Sequence, residues 1–307
     1  MTRSESTGVA VGIDIGGTTI KLGLAEAGQV LVRRRIPYAQ LSSFDEIAEQ
    51  IVSNVRAMEA DAGRSAEALG IASPGHARPE DGLMVDGTAN VPLLRSRSLA
   101  GALRDRTGLP AATVNDGSAA TLGELYFGAG RGISRFALLL LGTGVGGGIV
   151  IDGRLVTGDG GVPPELGAMV LDDAPAGSRT LEDFASAGGF AAAYQRAGGD
   201  SALSPIDIFL KAAGGERIAA AAIHAVSRRI AQSLGTLINA LNLEACLIGG
   251  GIAQAGDPLL HCVRAQLPQF TWPFLLARVR IARAQTGQDA GILGAALTAL
   301  LQHRPPR

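Results

Sequence analysis

Apolar residues gather in two clusters of short runs, and the two clusters share one internal order. The first cluster is Val9 to Leu24, VAVGIDIGGTTIKLGL, where two runs of strand length flank Asp14-Ile15-Gly16-Gly17-Thr18-Thr19. An Ala27-Gly28 turn then leads to a third strand, Gln29 to Ile36. The second cluster, Arg135 to Thr157, reads RFALLLLGTGVGGGIVIDGRLVT: a strand, a turn over Gly142-Thr143-Gly144-Val145-Gly146-Gly147-Gly148, a second strand, and an Asp152-Gly153 hairpin into a third. Two strand-turn-strand units about one domain length apart predict a duplicated fold.

Between and beyond the clusters the period changes. Phe44, Ile47, Ala48, Ile51, Val52, Val55 and Met58 recur at helical spacing behind Ser43-Phe44-Asp45-Glu46, which reads as a capping box. Ala68 to Ser73 returns as a strand ending at Pro74-Gly75, and a Gly-, Asp- and Pro-rich connection carries Asn90 to a short helix near Leu99 to Thr107. Ala111 to Val114 is a strand, followed by Asn115-Asp116-Gly117 and the helical stretch SAATLGELYFGAG. Gly158 to Asp173 reads as a Gly/Pro-rich loop carrying Glu165, and a helix starts near Thr180 with Glu182 in its first turn. Glu216 to Asn242 predicts a long helix buried along Ile223, Val226, Ile230, Leu234, Leu237, Ile238 and Leu241. A strand from Ala245 to Ile248 meets Gly249-Gly250-Gly251; the helix Pro258 to Leu267, the strand Arg278 to Ala284 and the helix Ala290 to Gln302 follow.

Composition narrows the class. With 307 residues, 47% hydrophobic and 18% charged, the chain can bury sizeable cores and should form two domains. Net charge is −1, and apart from Arg33-Arg34-Arg35, read as a solvated strand end, basic residues are scattered, so no nucleic-acid footprint is expected. The segment MTRSESTG has no apolar core, and no apolar run reaches the roughly 18 residues of a membrane span, so the expectation is a cytoplasmic protein without a membrane partner. Cys246 and Cys262 are the only cysteines, one on a strand and one on a helix. That argues against a disulfide framework and a cysteine-rich zinc site, and both are expected to be buried thiols.

The turns carry the chemistry. Gly16-Gly17 and the Gly142 to Gly148 run leave room for a phosphate to approach the backbone, and Thr hydroxyls and amides can donate to its oxygens. A strand resumes at Ile20 where a Walker or dinucleotide-binding loop would need a helix, so those two loops are excluded. An ordinary Gly-Gly hairpin turn remains an alternative for the first stretch alone. Asp116 follows a strand end, where a carboxylate faces the crevice of an open α/β sheet, yet it also reads as a helix cap. Glu182 likewise suits a helix start by charge alone, and Asp14 reads also as a strand-end turn carboxylate.

The ordered set GIDIGGTTIK, SPG, the Asn90 loop, VNDGSAA, LGTGVGGG, PPELG, TLEDFAS, LIGGG and AGILGAA resembles the ROK family of sugar kinases and sugar-responsive repressors, from Val9 to about Leu301. The resemblance implies an α/β actin/hexokinase-like (ribonuclease H-like) duplicated two-domain fold with a central interdomain cleft that opens and closes. It places an N-terminal domain at 1-116, a C-terminal domain at 117-289, and a helix at about 290-303 packing back on the first. It implies ATP-dependent, magnesium-assisted phosphorylation of a hydroxyl on a hexose, amino sugar or cyclitol, in a homodimer. Phosphate and nucleotide binding would fall to Asp14, Gly16, Gly17, Thr18, Thr19 and Lys21, to Gly142, Thr143 and Gly144, and to Gly250 and Gly251; Asp14 would hold Mg²⁺ through water. Asp116 would be the general base, with Asn90, Asn115, Glu165 and Glu182 on sugar hydroxyls. Alternatives are a non-catalytic sugar-binding regulator and a polyphosphate-using glucokinase. Two departures stand out. Glu165-Leu166-Gly167-Ala168 lacks the family's histidine and Asp172 to Leu181 lacks its cysteines, so the structural zinc is expected to be missing. Only residues 1-8 precede the stretch Val9 to Leu24 that holds the first turn, where the repressors carry a helix-turn-helix segment, so DNA binding is not expected.

Overall fold

A computed structural model describes residues 8-174, 177-199 and 203-303. In chain order, β1 (Val9–Ile15), β2 (Thr19–Glu26), β3 (Gln29–Pro37), α1 (Phe44–Ala62), β4 (Ala68–Ser73), β5 (His76–Ala77), β6 (Met84–Asp86), α2 (Leu99–Thr107), β7 (Ala111–Asn115) and α3 (Asp116–Phe127) come first. Then follow β8 (Phe136–Leu141), β9 (Val145–Ile151), β10 (Arg154–Leu155), β11 (Val170–Ala174), β12 (Gly177–Thr180), α4 (Leu181–Ala185), α5 (Ala187–Arg196), α6 (Pro205–Ala213) and α7 (Arg217–Leu241). The last elements are β13 (Ala245–Gly249), α8 (Asp257–Gln266), α9 (Pro273–Leu276), β14 (Arg280–Arg283) and α10 (Ala290–His303).

The chain divides into two compact units. One takes in the chain through Arg131, Thr157–Pro163 and the segment from Gln288; the other is Gly132–Val156 with Pro164–Gly287. Each unit is built on a five-stranded sheet, ordered β3-β2-β1-β4-β7 in the first and β10-β9-β8-β13-β14 in the second. Directions match as well: the two strand pairs of each hairpin unit are antiparallel, and the remaining pairs, β1 with β4, β4 with β7, β8 with β13 and β13 with β14, are parallel. The fold is that of actin and hexokinase, a mixed α/β pair of domains.

In the first unit α1 and α2 cover one face, with Ile47, Ile51, Val55, Leu99 and Leu103 buried against Ile13, Leu22 and Ile71. The other face is made of small residues, Ala10, Ala25, Ala68 and Ala112, and receives Leu293, Ala296, Ala299 and Leu300 of α10. Close approach is what this face requires: a Cβ on Gly12 of β1 or Gly70 of β4 would overlap the backbone carbonyls of Ile292 or Ala295. α3 lies against the same helix, with Gly294 seated on the backbone of Ala119. The first unit therefore runs on past Asp116, where the sequence reading had ended it, because α3 packs with α10. In the second unit the stripe Ile223, Val226, Ile230, Leu234 and Ile238 of α7 is buried with Leu139, Leu141 and Ile248 of the sheet.

Local details depart from the sequence reading. Ser43 does cap α1, accepting from the Glu46 amide at 3.2 Å, but the Glu46 carboxylate takes the Ser42 amide (2.8 Å) and hydroxyl (2.7 Å), so the box closes one residue early. A complete capping box instead starts α4, between Thr180 and Asp183. Strand β14 is shorter than Arg278 to Ala284 because Ala277 and Val279 donate back into the turn of α9, to Pro273 and Leu275. Cys246 is fully buried in β13 and Cys262 half-buried in α8; burial pushes the Cys246 thiol up to about 12. Since the thiolate is the reactive form, Cys246 is expected to resist a thiol reagent at pH 8 in the folded protein and to react once guanidinium unfolds it. Modification at the same rate in both states would contradict its burial.

Candidate active site

The candidate residues of the first unit stand at the C-terminal ends of its parallel strands. Register pairs Asp14 with Ala72 and Ser73 with Asn115, so β1, β4 and β7 deliver Asp14, Ser73 and the Asn115-Asp116 pair to the same sheet edge. After β1 the backbone turns tightly, the Gly16 amide donating to the Thr19 carbonyl at 3.0 Å while the Thr18 carbonyl accepts from Tyr38. No described residue accepts from the Gly17 and Thr18 amides, and both residues are exposed. Donors of this kind suit a phosphate. Gly17 needs its lack of a side chain, since a Cβ there would stand 2.9 Å from the Asn90 carbonyl oxygen, and this contact brings the Asn90 loop to the turn.

Asp14 and Lys21 face each other across the β1-β2 ladder, and the Lys21 Nζ donates to the Asp14 carboxylate at 3.1 Å. The start of α10 closes on the same carboxylate: a Cβ on Gly291 would lie 2.9 Å from the Asp14 Cγ. The Lys21 ammonium and the positive end of the α10 dipole thus both lie against this carboxylate. The sequence reading quoted AGILGAA without giving Gly291 a role; a glycine at the first turn of a helix was its signal. Among the described residues no group of three or more His, Cys, Asp or Glu could enclose a metal ion.

At the end of β7 the two neighbouring polar residues divide their work. Asn115 is the cap of α3: its Oδ1 accepts from the Ser118 amide at 3.0 Å, and its Nδ2 donates to the Gly75 carbonyl at 3.2 Å. Asp116 is half-buried in the first turn of α3, one oxygen accepting from the Gly117 amide at 2.8 Å. The cap that the sequence allowed for Asp116 is thus supplied by Asn115.

In the second unit the Gly142 amide donates to the Gly144 carbonyl (3.0 Å) and closes the turn between β8 and β9. Thr143 is exposed, and no described residue accepts from the Thr143 and Gly144 amides. The turn is gripped from the α4-α5 corner: the Ala187 amide donates to the Gly142 carbonyl at 2.8 Å, and the Glu182 carboxylate accepts from the Val145 amide at 2.8 Å. Gly250, at a φ of 85°, lies where a Cβ would overlap the Leu141 carbonyl, which sets the Gly249-Gly250-Gly251 run beside the same turn. Glu165 opens the tight turn Leu166–Ala168, whose Gly167 packs on the Val145 carbonyl; Glu165 and Ala168 are exposed. Glu165, Glu182, Gly142, Thr143, Gly144, Gly250 and Gly251 are therefore neighbours within one unit.

The segment read as a plain loop before α4 contains the β11-β12 hairpin, and α7 holds it. The Arg229 guanidinium donates to the Leu171 carbonyl (3.3 Å) and the Asp172 carboxylate (3.4 Å) and lies 4.5 Å over the Phe184 ring. Arg179 of β12 lies 4.1 Å over that ring as well. A ring contacted by two cations orients α4 and with it Glu182.

Comparison with known proteins fits this geometry. The ROK family matches over residues 10–302. The chain is 32% identical to a glucokinase of Thermotoga maritima over 305 residues, covering 93% of this chain and 95% of that protein. It is 33% identical to an N-acetylmannosamine kinase of Escherichia coli over 300 residues, covering 94% and 97%. Among solved structures, a ROK family glucokinase from Streptomyces griseus in complex with glucose and AMPPNP superposes with a TM-score of 0.79 at 27% identity, covering 95% of this chain and 99% of that one. No helix among the described residues is long and apolar enough to cross a membrane. Matched over nearly its whole length, with sugar kinases among relatives above 30% identity, the chain belongs to the ROK family and is a sugar kinase.

Proposed function

We propose that this kinase transfers the terminal phosphoryl group of ATP to a hydroxyl of a hexose, amino sugar or cyclitol, with Asp116 as general base. The observation that carries the reading is the arrangement at the end of β7, where Asn115 takes the capping role and Asp116 stands beside it on the sheet edge that holds Asp14. Asp116 accepts the proton of the attacking hydroxyl, the hydroxyl oxygen bonds to the γ-phosphorus, and ADP leaves. The Gly17 and Thr18 amides and those of Thr143 and Gly144 donate to phosphate oxygens, and Lys21 adds positive charge. ATP as donor is supported by the AMPPNP complex of the Streptomyces relative, and a sugar acceptor by the glucose bound there.

Asp14 fits magnesium as a carboxylate that belongs to no cluster of three or more His, Cys, Asp or Glu among the described residues, the pattern of an ion carried mainly by substrate phosphates and water. Bound with the nucleotide, magnesium supplies neutralisation of phosphate charge. Lys21 and the start of α10 hold the Asp14 side chain in place for that role. An assay of ADP release over a panel of sugars and cyclitols, with ATP and polyphosphate as alternative donors, tests the reading. ADP release with one class of acceptor supports it, and no turnover of any pair removes it.

Asn90, Asn115, Glu165 and Glu182 are the acceptor's polar contacts in this reading. The Glu165 carbonyl accepts from the Ala168 amide at 3.1 Å, while its exposed carboxylate takes no hydrogen bond from a described residue and is open to a hydroxyl. A hydrogen bond to a charged group contributes roughly 1.5–3 kcal/mol, so Glu165→Gln should lower kcat/KM for the true acceptor by at least about tenfold with little change in the KM for ATP. Ala168 leaves open the position where the family's histidine would stand, so glucose should be a mediocre acceptor beside one more bulky there. Parent-like kinetics of Glu165→Gln, or glucose used far better than every other compound, would refute this account of the pocket.

A further inference from the structure

Glu182 does more in the structure than offer a carboxylate to an acceptor. Its Oε2 takes the Val145 amide at 2.8 Å, and Gly144 lies so close that a Cβ there would be 2.6 Å from the same oxygen and 3.9 Å from Oε1. Val145 is the residue at which the turn becomes β9, and Gly142, which opens the turn, is fixed from the same corner by the Ala187 amide. The carboxylate thereby settles which amides of the turn remain available. Gly142 donates within the turn and Val145 donates to Glu182, leaving Thr143 and Gly144 as the outward donors.

Building on the kinase reading above, we infer that Glu182 is a positioning residue for the second phosphate turn: Oε2 holds the Val145 amide and so aims the Thr143 and Gly144 amides, while Oε1, which accepts no hydrogen bond from a described residue, is left for the acceptor. A glutamine can keep the first task, since its carbonyl oxygen also accepts from an amide, but presents an amide group where the acceptor needs a carboxylate. An alanine loses both. The two variants therefore separate the roles.

The test is calorimetric binding of AMPPNP without any sugar, beside steady-state kinetics with the acceptor that the ADP-release panel ranks first. Glu182→Ala should weaken AMPPNP binding by roughly five- to tenfold, and Glu182→Gln should stay within about twofold of the parent while its acceptor KM rises. Gly144→Ala, which displaces the carboxylate without removing it, should weaken AMPPNP to a similar extent, and combining it with Glu182→Ala should add little, because the two changes break one interaction. Should Glu182→Ala fail to fold, Gly144→Ala alone decides. AMPPNP binding as tight as the parent's in either Glu182→Ala or Gly144→Ala overturns the positioning role and leaves the kinase reading in place. A parent that neither binds AMPPNP nor releases ADP removes both.

Discussion

Replacing Asp116 with Asn is expected to lower kcat by roughly 10²–10⁴-fold while acceptor binding survives. Asparagine keeps the shape and retains an oxygen for the Gly117 amide, which Asp116 holds at 2.8 Å, so the first turn of α3 should stand. The cap of α3 is secured separately by Asn115, through the Ser118 amide. What the substitution removes is the capacity to accept a proton, and a loss confined to kcat is the signature of an interaction made in the transition state. Steady-state kinetics with acceptor affinity measured in parallel decides the matter. Near-normal kcat would reduce Asp116 to a helix-start carboxylate, and loss of acceptor binding with kcat intact would make it a binding group only.

Gly294→Ala is expected to destabilise the first unit in spite of helix propensity. In an exposed helix the change from Gly to Ala stabilises by roughly 0.5–1 kcal/mol. At Gly294 the new methyl would overlap the carbonyl oxygen of Ala119, and a backbone atom inside a packed helix pair cannot swing aside. Overpacking of this kind costs about 1–3 kcal/mol, enough to reverse the sign and lower Tm by roughly 3–10 °C. Differential scanning calorimetry reads it directly. A variant as stable as the parent would mean that α3 and α10 are not in backbone contact at this position.

Periodicity revealed the parts of the fold that depend on neighbours in sequence. The hairpin strands around Gly16-Gly17 and Gly142-Thr143-Gly144, α1 and the long α7 all announce themselves by a period and a turn. The β11-β12 hairpin did not, because Val170–Ala174 and Gly177–Thr180 contain Asp, Ser and Arg in place of an apolar alternation, and a side chain from α7 organises them. α6 was missed as well; its start at Ser204-Pro205 carries a cap and a first-turn proline, but only Pro205, Ile208 and Phe209 of it are buried. In the candidate site, the strand-end positions of Asp14, Asn115 and Asp116 were legible in the sequence. The grip of Glu182 on Val145 was not, since the partner is a backbone amide that no residue type advertises. A motif can name a carboxylate, but only the fold says which hydrogen bond it has already made.

The seat of α10 also sets an order of events during synthesis. Gly12, Gly70, Ala10 and Ala68 lie on a face that Ala290–His303 covers, and those residues follow the whole second unit in the chain. A nascent chain that has just left the ribosome with β1 to α3 complete must keep that face bare while the whole second unit is translated. The intervening chain can fold first, since its own sheet and α7 need nothing from α10, and its collapse shortens the loop that must close to bring α10 home. The first unit therefore cannot close until the second has been made, and a stalled chain lacking α10 would present an alanine-lined sheet to any chaperone or neighbouring chain.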